Sequence, residues 1–386
     1  MKEETGSPGV CVAVSIDGKP VWSEGFGFAD IENRVLCSAK TVMRIASISK
    51  PLTATAAAKL WEEGKLDLDA PIQKYVASFP EKTFKNKTKV KDKNEKSSEP
   101  EGQVMVSTDR KQTGTMSDRC TCRQQRDAFS LEEIYIKNHY NTVTEAISLF
   151  KDEPLLSDPG TSYLYTTYGW TLLSAVIESA SSQDFLLFMK KLFKDLGMEN
   201  TCAEFNDKII HNRARFYQRN NKGHLINAPY VDNSYKWGGG GFMSTVEDLV
   251  QFGNSMLYAK QMGYVNNKET FGTPEYLPGF LRPETATELW KIVANTEGKG
   301  HRDGGYGLGW VVIPEKQDFG SCYHQLDTIF HSGSAVGASS ILLIRPQNAH
   351  TKPPKGVVVA VLVNLQQVHL QKTAMAVAAC FEKTEL

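Results

Sequence analysis

Met43-Arg44-Ile45-Ala46-Ser47-Ile48-Ser49-Lys50-Pro51-Leu52-Thr53-Ala54 is the stretch on which the reading of this chain turns. Ser47 and Lys50 stand three residues apart, a spacing that puts both on one face of a helical turn. A serine hydroxyl is a weak nucleophile until a neighbour takes its proton. A lysine can accept that proton, or hold another base in its charged form. Ile45, Ala46, Ile48 and Leu52 make the setting apolar. That disfavours an ammonium and makes Lys50 the better base. Pro51 locates the helix start, because the residue before a proline is biased away from helical geometry and proline itself fits only a first turn. The helix is therefore expected to begin at or just before Ser47, where backbone N–H groups lack intrahelical acceptors and can face an oxyanion.

Alone, the Ser-x-x-Lys spacing is common. Ser148-Leu149-Phe150-Lys151 repeats it beside Glu145 and Asp152 and is read as carrying no chemistry. Ser47 by itself reads equally as a capping serine, and Lys50 as a solvated first-turn residue.

Working outward, residues 10–16 (VCVAVSI) form a strand, Asp17-Gly18 a hairpin turn, and residues 21–28 the returning strand. Residues 51–62 read as a helix, with Leu52, Ala56 and Leu60 on one stripe and Gly64 just past its end. Helical patterns resume near Ser130, over 169–180 and over 185–196. The last third reads as strands at 309–313, 328–332, 339–344 and 357–364, then an amphipathic helix over 370–381. Strands at both chain ends with helices between predict an α+β fold: one antiparallel sheet built from both ends, flanked by helices, with an inserted helical lobe. We expect a single catalytic domain over 1–386 with two lobes. Residues 83–126, rich in Lys, Glu, Ser, Thr and Gln, are expected to be a disordered insertion, their lysines a solvated linker.

The 44 basic and 44 acidic side chains balance, which argues against a nucleic-acid partner. No apolar run approaches the ~20 residues of a transmembrane segment. The seven cysteines, at 11, 37, 120, 122, 202, 322 and 380, are odd in number and fit neither a disulfide framework nor a zinc site. They read as reduced thiols. His324 and His331 have no carboxylate cluster nearby, so no metal is expected. The short acidic N-terminus, residues 1–8, matches neither a secretory signal nor a transit peptide. A cytosolic chain, or a version without its targeting segment, is the expectation.

Residues 43–54 resemble the nucleophile region of class C β-lactamases and DD-peptidases, of the penicillin-binding-protein and β-lactamase-like serine hydrolase family. The same family is resembled, in order, by LWEEGKLDLD (60–69), PGTSYLYTTYGWTLLSAVIE (159–178), LGMENT (196–201), GGFMST (240–245), YGLGW (306–310) and FHSG (330–333). NRARFY (212–217), PYVDNSYKW (229–237) and VGASS (336–340) are similar to the mitochondrial members found in animals. The resemblance implies that Ser47 is acylated, Lys50 is its partner, and Tyr165 takes the serine proton. A Lys50 ammonium would then lower the tyrosine pKa and favour phenolate. His331-Ser332-Gly333 matches the family's third motif. There Ser332 would hydrogen-bond a substrate carboxylate or carbonyl, and Gly333 would let the substrate backbone approach. The N–H groups of Ser47 and Ser334 would form the oxyanion hole. Without the family, Tyr165 reads as core and His331 as an ordinary strand histidine.

The implied activity is a serine peptidase or amidohydrolase working through an acyl-enzyme on a peptide or amide substrate, with no cofactor and no metal. Mitochondrial location, an influence on lipid metabolism and assembly into homo-oligomers or filaments come with the resemblance. Two features depart from the family pattern. Thr167 stands where most relatives have Asn, offering a hydroxyl and no amide donor. The family's His-x-Ser-Gly segment is missing after Val90. These departures keep open a second expectation: a structural, filament-forming member of the fold with weak or no catalysis.

Overall fold

The computed structural model describes residues 5–82, 134–155, 162–262, 280–318, 323–347 and 353–382. The insertion expected at 83–126, the helix expected near Ser130 and three of the cysteines lie outside these residues.

Eight strands form one sheet, in the order Val35–Leu36, Lys19–Asp30, Gly9–Ile16, Gly356–Val363, Ala338–Pro346, Thr328–Ala335, Val311–Ile313 and Gly305–Tyr306. All the pairings are antiparallel, and the two chain ends meet at its centre, Val10 opposite Val363 and Ile16 opposite Val357. The apolar run 357–363 is continuous because both faces of the strand are covered, as in any doubly buried strand. Val357, Val359, Val361 and Val363 pack on the side of the C-terminal helix Gln371–Glu382, with Val10, Val12 and Val14. Val358, Ala360 and Leu362 face the other way, with Cys11 and Ala13, into the larger core of helices. The Asp17-Gly18 turn has both residues at positive φ, 51° and 77°, the requirement of a type I′ hairpin.

Helix Val246–Gln261 lies against the sheet so closely that a Cβ on Gly253 would come 2.5 Å from Val358 Cγ1. Helix Ser49–Glu62 packs on Tyr168–Ser181, and that helix on Phe185–Asp195. Pro51 sits in the first turn of Ser49–Glu62, and Gly64 past its end takes φ 67°. The α+β architecture is the one expected. Element boundaries shift by up to three residues, and two of the shifts have a local cause. The run 309–313 is strand only from Val311, because Gly309 turns the chain at φ 84°. The strand expected at 328–332 continues to Ala335 along its neighbour.

Candidate active site

Ser47 lies in a 3₁₀ turn, Ala46–Ile48, that leads into helix Ser49–Glu62. Ala46 is held at φ 48°, a left-handed conformation that costs an L-residue roughly 1–2 kcal/mol. The surroundings maintain it. Ile45 N–H donates to Phe242 O at 3.1 Å, and Ser340 Oγ donates to Ile45 O at 2.7 Å. Arg44, one residue earlier, is buried against Glu204 and donates to Val336 O at 2.6 Å. The nucleophile turn is thus tied both to strand Phe242–Ser244 and to the main sheet.

Lys50 is 1% exposed. Its Nζ donates to Ser47 Oγ at 2.9 Å and to Gly239 O at 2.6 Å. That carbonyl comes from a glycine run wedged between helices: a Cβ on Gly238 would be 2.2 Å from Ser174 Oγ, and one on Gly239 2.8 Å from Thr167 Cγ2. Motif reading singled out 240–245 and missed Gly239, whose contribution is a backbone atom that any residue type would supply.

Tyr165, on the segment entering helix Tyr168–Ser181, turns its ring to Lys50, with Nζ 4.7 Å from the centroid. Ser47 is the side chain that acts on its hydroxyl, favouring the charged form. Loss of hydration pushes the phenol above the ordinary tyrosine range, and the influence of Ser47 only partly offsets this. A resting phenolate, expected from the lysine's charge, is therefore not the favoured form. Burial is the largest influence on this phenol.

His331, 4% exposed, completes the group. Its ring stands 6.3 Å from that of Tyr165. Nδ1 lies 2.7 Å from Ser332 O, which can only accept, so Nδ1 carries the proton. Nε2 then accepts from the Tyr306 hydroxyl at 2.8 Å. Burial first, and then the charge of Lys50, push the imidazole pKa down to about 3. His331 is a neutral acceptor at ordinary pH. Tyr306 was legible only as part of YGLGW; its ring packs edge-on to Tyr165 and His331 and links the two.

Ser332 and Ser334 are exposed to the cleft, while Gly333 between them is buried. Gly333 also has a packing requirement of its own. A Cβ there would meet Ser340 Oγ at 2.1 Å, Ile45 O at 2.4 Å and Ala46 Cβ at 3.0 Å. The glycine lets the sheet lie against the nucleophile turn, and its bare side faces protein. Of strand Thr328–Ala335, only residues 328–330 pair with Val311–Ile313. Among the described residues no strand covers that edge of 331–335, which borders the cleft.

Ser47, Tyr165, Thr167, His331, Ser332 and Ser334 all line one cavity of about 710 Å³. Lys50 reaches it from beneath through Ser47. Lys236 and Lys299 stand at its wall, and no described lining residue is a carboxylate. Among the described residues no group of three His, Cys, Asp or Glu is placed to hold a metal ion. No described helix is long and apolar enough to cross a membrane.

A serine above a buried lysine and beside a tyrosine, next to the open edge of an antiparallel strand, is the arrangement expected of the penicillin-binding-protein and β-lactamase-like class. The chain belongs to that class: the Beta-lactamase family matches residues 1–379. It is similar to the human serine beta-lactamase-like protein LACTB, mitochondrial, at 43% identity over 430 residues, covering 99% of this chain and 78% of the human one. The aligned stretch of that relative is longer than this chain. In fold it is similar to the octameric penicillin-binding protein homologue from Pyrococcus abyssi (TM-score 0.69, 23% identity, 99% of this chain and 75% of that one). A D-stereospecific amidohydrolase from Streptomyces is similar too (TM-score 0.68, 17% identity, 98% and 95%).

Proposed function

We propose that this protein is a serine hydrolase that cleaves peptide or amide bonds through an acyl-enzyme on Ser47. The observation that carries this reading is the 2.9 Å hydrogen bond between Ser47 Oγ and the buried Lys50, with the Tyr165 ring against the same lysine. In this reading Lys50 and Tyr165 act as one unit, reactive in the form that has lost one of the protons of ammonium plus phenol. As Ser47 Oγ bonds to the substrate carbonyl carbon, its proton passes to that unit. The unit returns it to the departing amine when the carbon–nitrogen bond breaks. Water then cleaves the ester by the same steps in reverse order. The N–H of Ser47, near the start of its turn, and that of Ser334, at the open strand edge, are proposed to hold the oxyanion. Ser332 is proposed to hydrogen-bond a substrate carbonyl or carboxylate, and Thr167 to stand in for the usual asparagine with its hydroxyl. We read residues 1–386 as one catalytic domain. The names of its relatives support a mitochondrial location and a homo-oligomer; a bearing on lipid metabolism rests on the family resemblance alone.

A second reading, a filament-forming member without useful catalysis, has Thr167 and the raised phenol pKa in its favour. A fluorophosphonate probe separates the two. The proposal expects covalent labelling of the folded protein that disappears in Ser47→Ala. Absence of labelling in folded wild-type protein overturns it in favour of the second reading.

A further inference from the structure

Beside the catalytic cavity lies a second one of about 1070 Å³, and the two share Gln366 and Gln367. The catalytic cavity runs along the open strand edge past Ser332, Ser334 and Ala335 to these glutamines. Gln367 has φ 62°, a conformation that a non-glycine residue keeps only when its surroundings over-determine it. Here they do. Gln366 Oε1 accepts from Gly337 N–H at 3.1 Å, Gln366 N–H donates to Tyr217 O at 3.0 Å, and Val368 N–H donates to Ser339 Oγ at 3.0 Å. The loop is thus pinned to the turn that follows the cleft strand, with a strained, exposed glutamine at the junction of the two cavities. Strain of this kind clusters at sites that bind something.

The lining of the second cavity is polar and one-signed. Lys222, His224 and His369 stand exposed at its wall, among the amides of Gln218, Asn220 and Asn221. No described lining residue is acidic. Arg219 also lines it, its guanidinium spanning Gly223 O and Gly6 O at 2.9 and 3.0 Å. A cleft lined by one sign of charge concentrates the opposite sign. An uncovered strand edge that leads into it suits an extended main chain.

We propose that the two cavities form one substrate groove, and that the second takes an acidic segment of a polypeptide substrate. This rests on the hydrolase reading above. A strand rises about 3.3 Å per residue, so the stretch from Ser332 to Ala335 spans roughly 10 Å. The acidic side chains therefore lie about three to five residues from the scissile bond. Small amides and β-lactams fill the first cavity only.

Binding and cleavage are measured separately. Fluorescein-labelled peptides carry Glu-Glu or Lys-Lys four and five residues to either side of the candidate bond, or end before those positions. Their affinity for Ser47→Ala protein is read by anisotropy. In one of the two orientations the Glu-Glu peptide is expected to bind more tightly than the truncated one. Adding Lys222→Glu should weaken it about fivefold or more, the scale of one exposed charge pair reversed, leave the truncated peptide unchanged, and strengthen the Lys-Lys peptide. That rescue by charge exchange excludes a merely structural effect of the variant. Equal binding of Glu-Glu and Lys-Lys peptides, or equal loss for long and truncated ones, overturns the proposal. Cleavage of short and long peptides by wild type with no charge preference also overturns it, and leaves the hydrolase standing. Charge-selective binding with no cleavage of any peptide supports the groove and removes the hydrolase reading.

Discussion

His331→Gln tests the electrostatics of the site through stability. In the fold the imidazole titrates near 3, against an unfolded value of 6.5. Between those values a proton binds the unfolded chain and not the native one. The contribution of His331 is therefore complete above pH 6.5 and is lost as pH falls toward 3. At 1.36 kcal/mol per pH unit, the fall from pH 7.5 to 5.0 removes about 2 kcal/mol. For a chain of this length that is roughly 2–3 °C of Tm. Asp327, whose carboxyl is pushed up to about 6, mostly by burial, works in the opposite sense. The wild-type profile alone is thus not diagnostic; the difference from the variant is. Gln keeps an acceptor for Tyr306 and does not titrate. Urea unfolding of both proteins at pH 7.5, 6.0 and 5.0 should show the gap between them shifting by about 2 kcal/mol in the variant's favour as pH falls. An unchanged gap, or a shift in favour of wild type, would mean that folded His331 is protonated, and the neutral-acceptor assignment would be wrong.

Gly333→Ala should lower stability by about 1–3 kcal/mol, as overpacking does, and slow labelling of Ser47 even in the folded fraction, because the new Cβ displaces Ile45 and Ser340. Normal labelling of folded variant would show that the strand does not position the nucleophile turn. Lys50→Ala and Tyr165→Phe should each lower kcat and kcat/KM together by about 10²–10⁴-fold. The double variant should be far from additive if the two act as one unit. Lys50→Arg should also fail, since arginine holds its proton; full turnover there would leave Tyr165 as the sole base.

The local pattern of residues carried the strands and helices. The two-faced apolar run 357–363, the Asp17-Gly18 turn and the stripe on helix Ser49–Glu62 follow from spacing and from which side chains need burial. The Ser47–Lys50 pair was legible for the same reason, since three residues on one turn bring the two together whatever surrounds them. Tyr165 and His331 were legible as motif residues, but nothing local joined them to Ser47. Their proton positions were decided by groups far away in the chain. Lys50, 189 residues before the Gly239 carbonyl it holds, also biases His331. Tyr306, 25 residues before His331, leaves its Nε2 an acceptor. The phenolate expected at Tyr165 failed because a sequence shows that a charge is near but not how much water is lost. The packing requirement at Gly333 comes from Ile45 and Ser340, which no local pattern places behind it. Hydration and contact between distant segments are properties of the assembled packing, so only the tertiary structure could decide them.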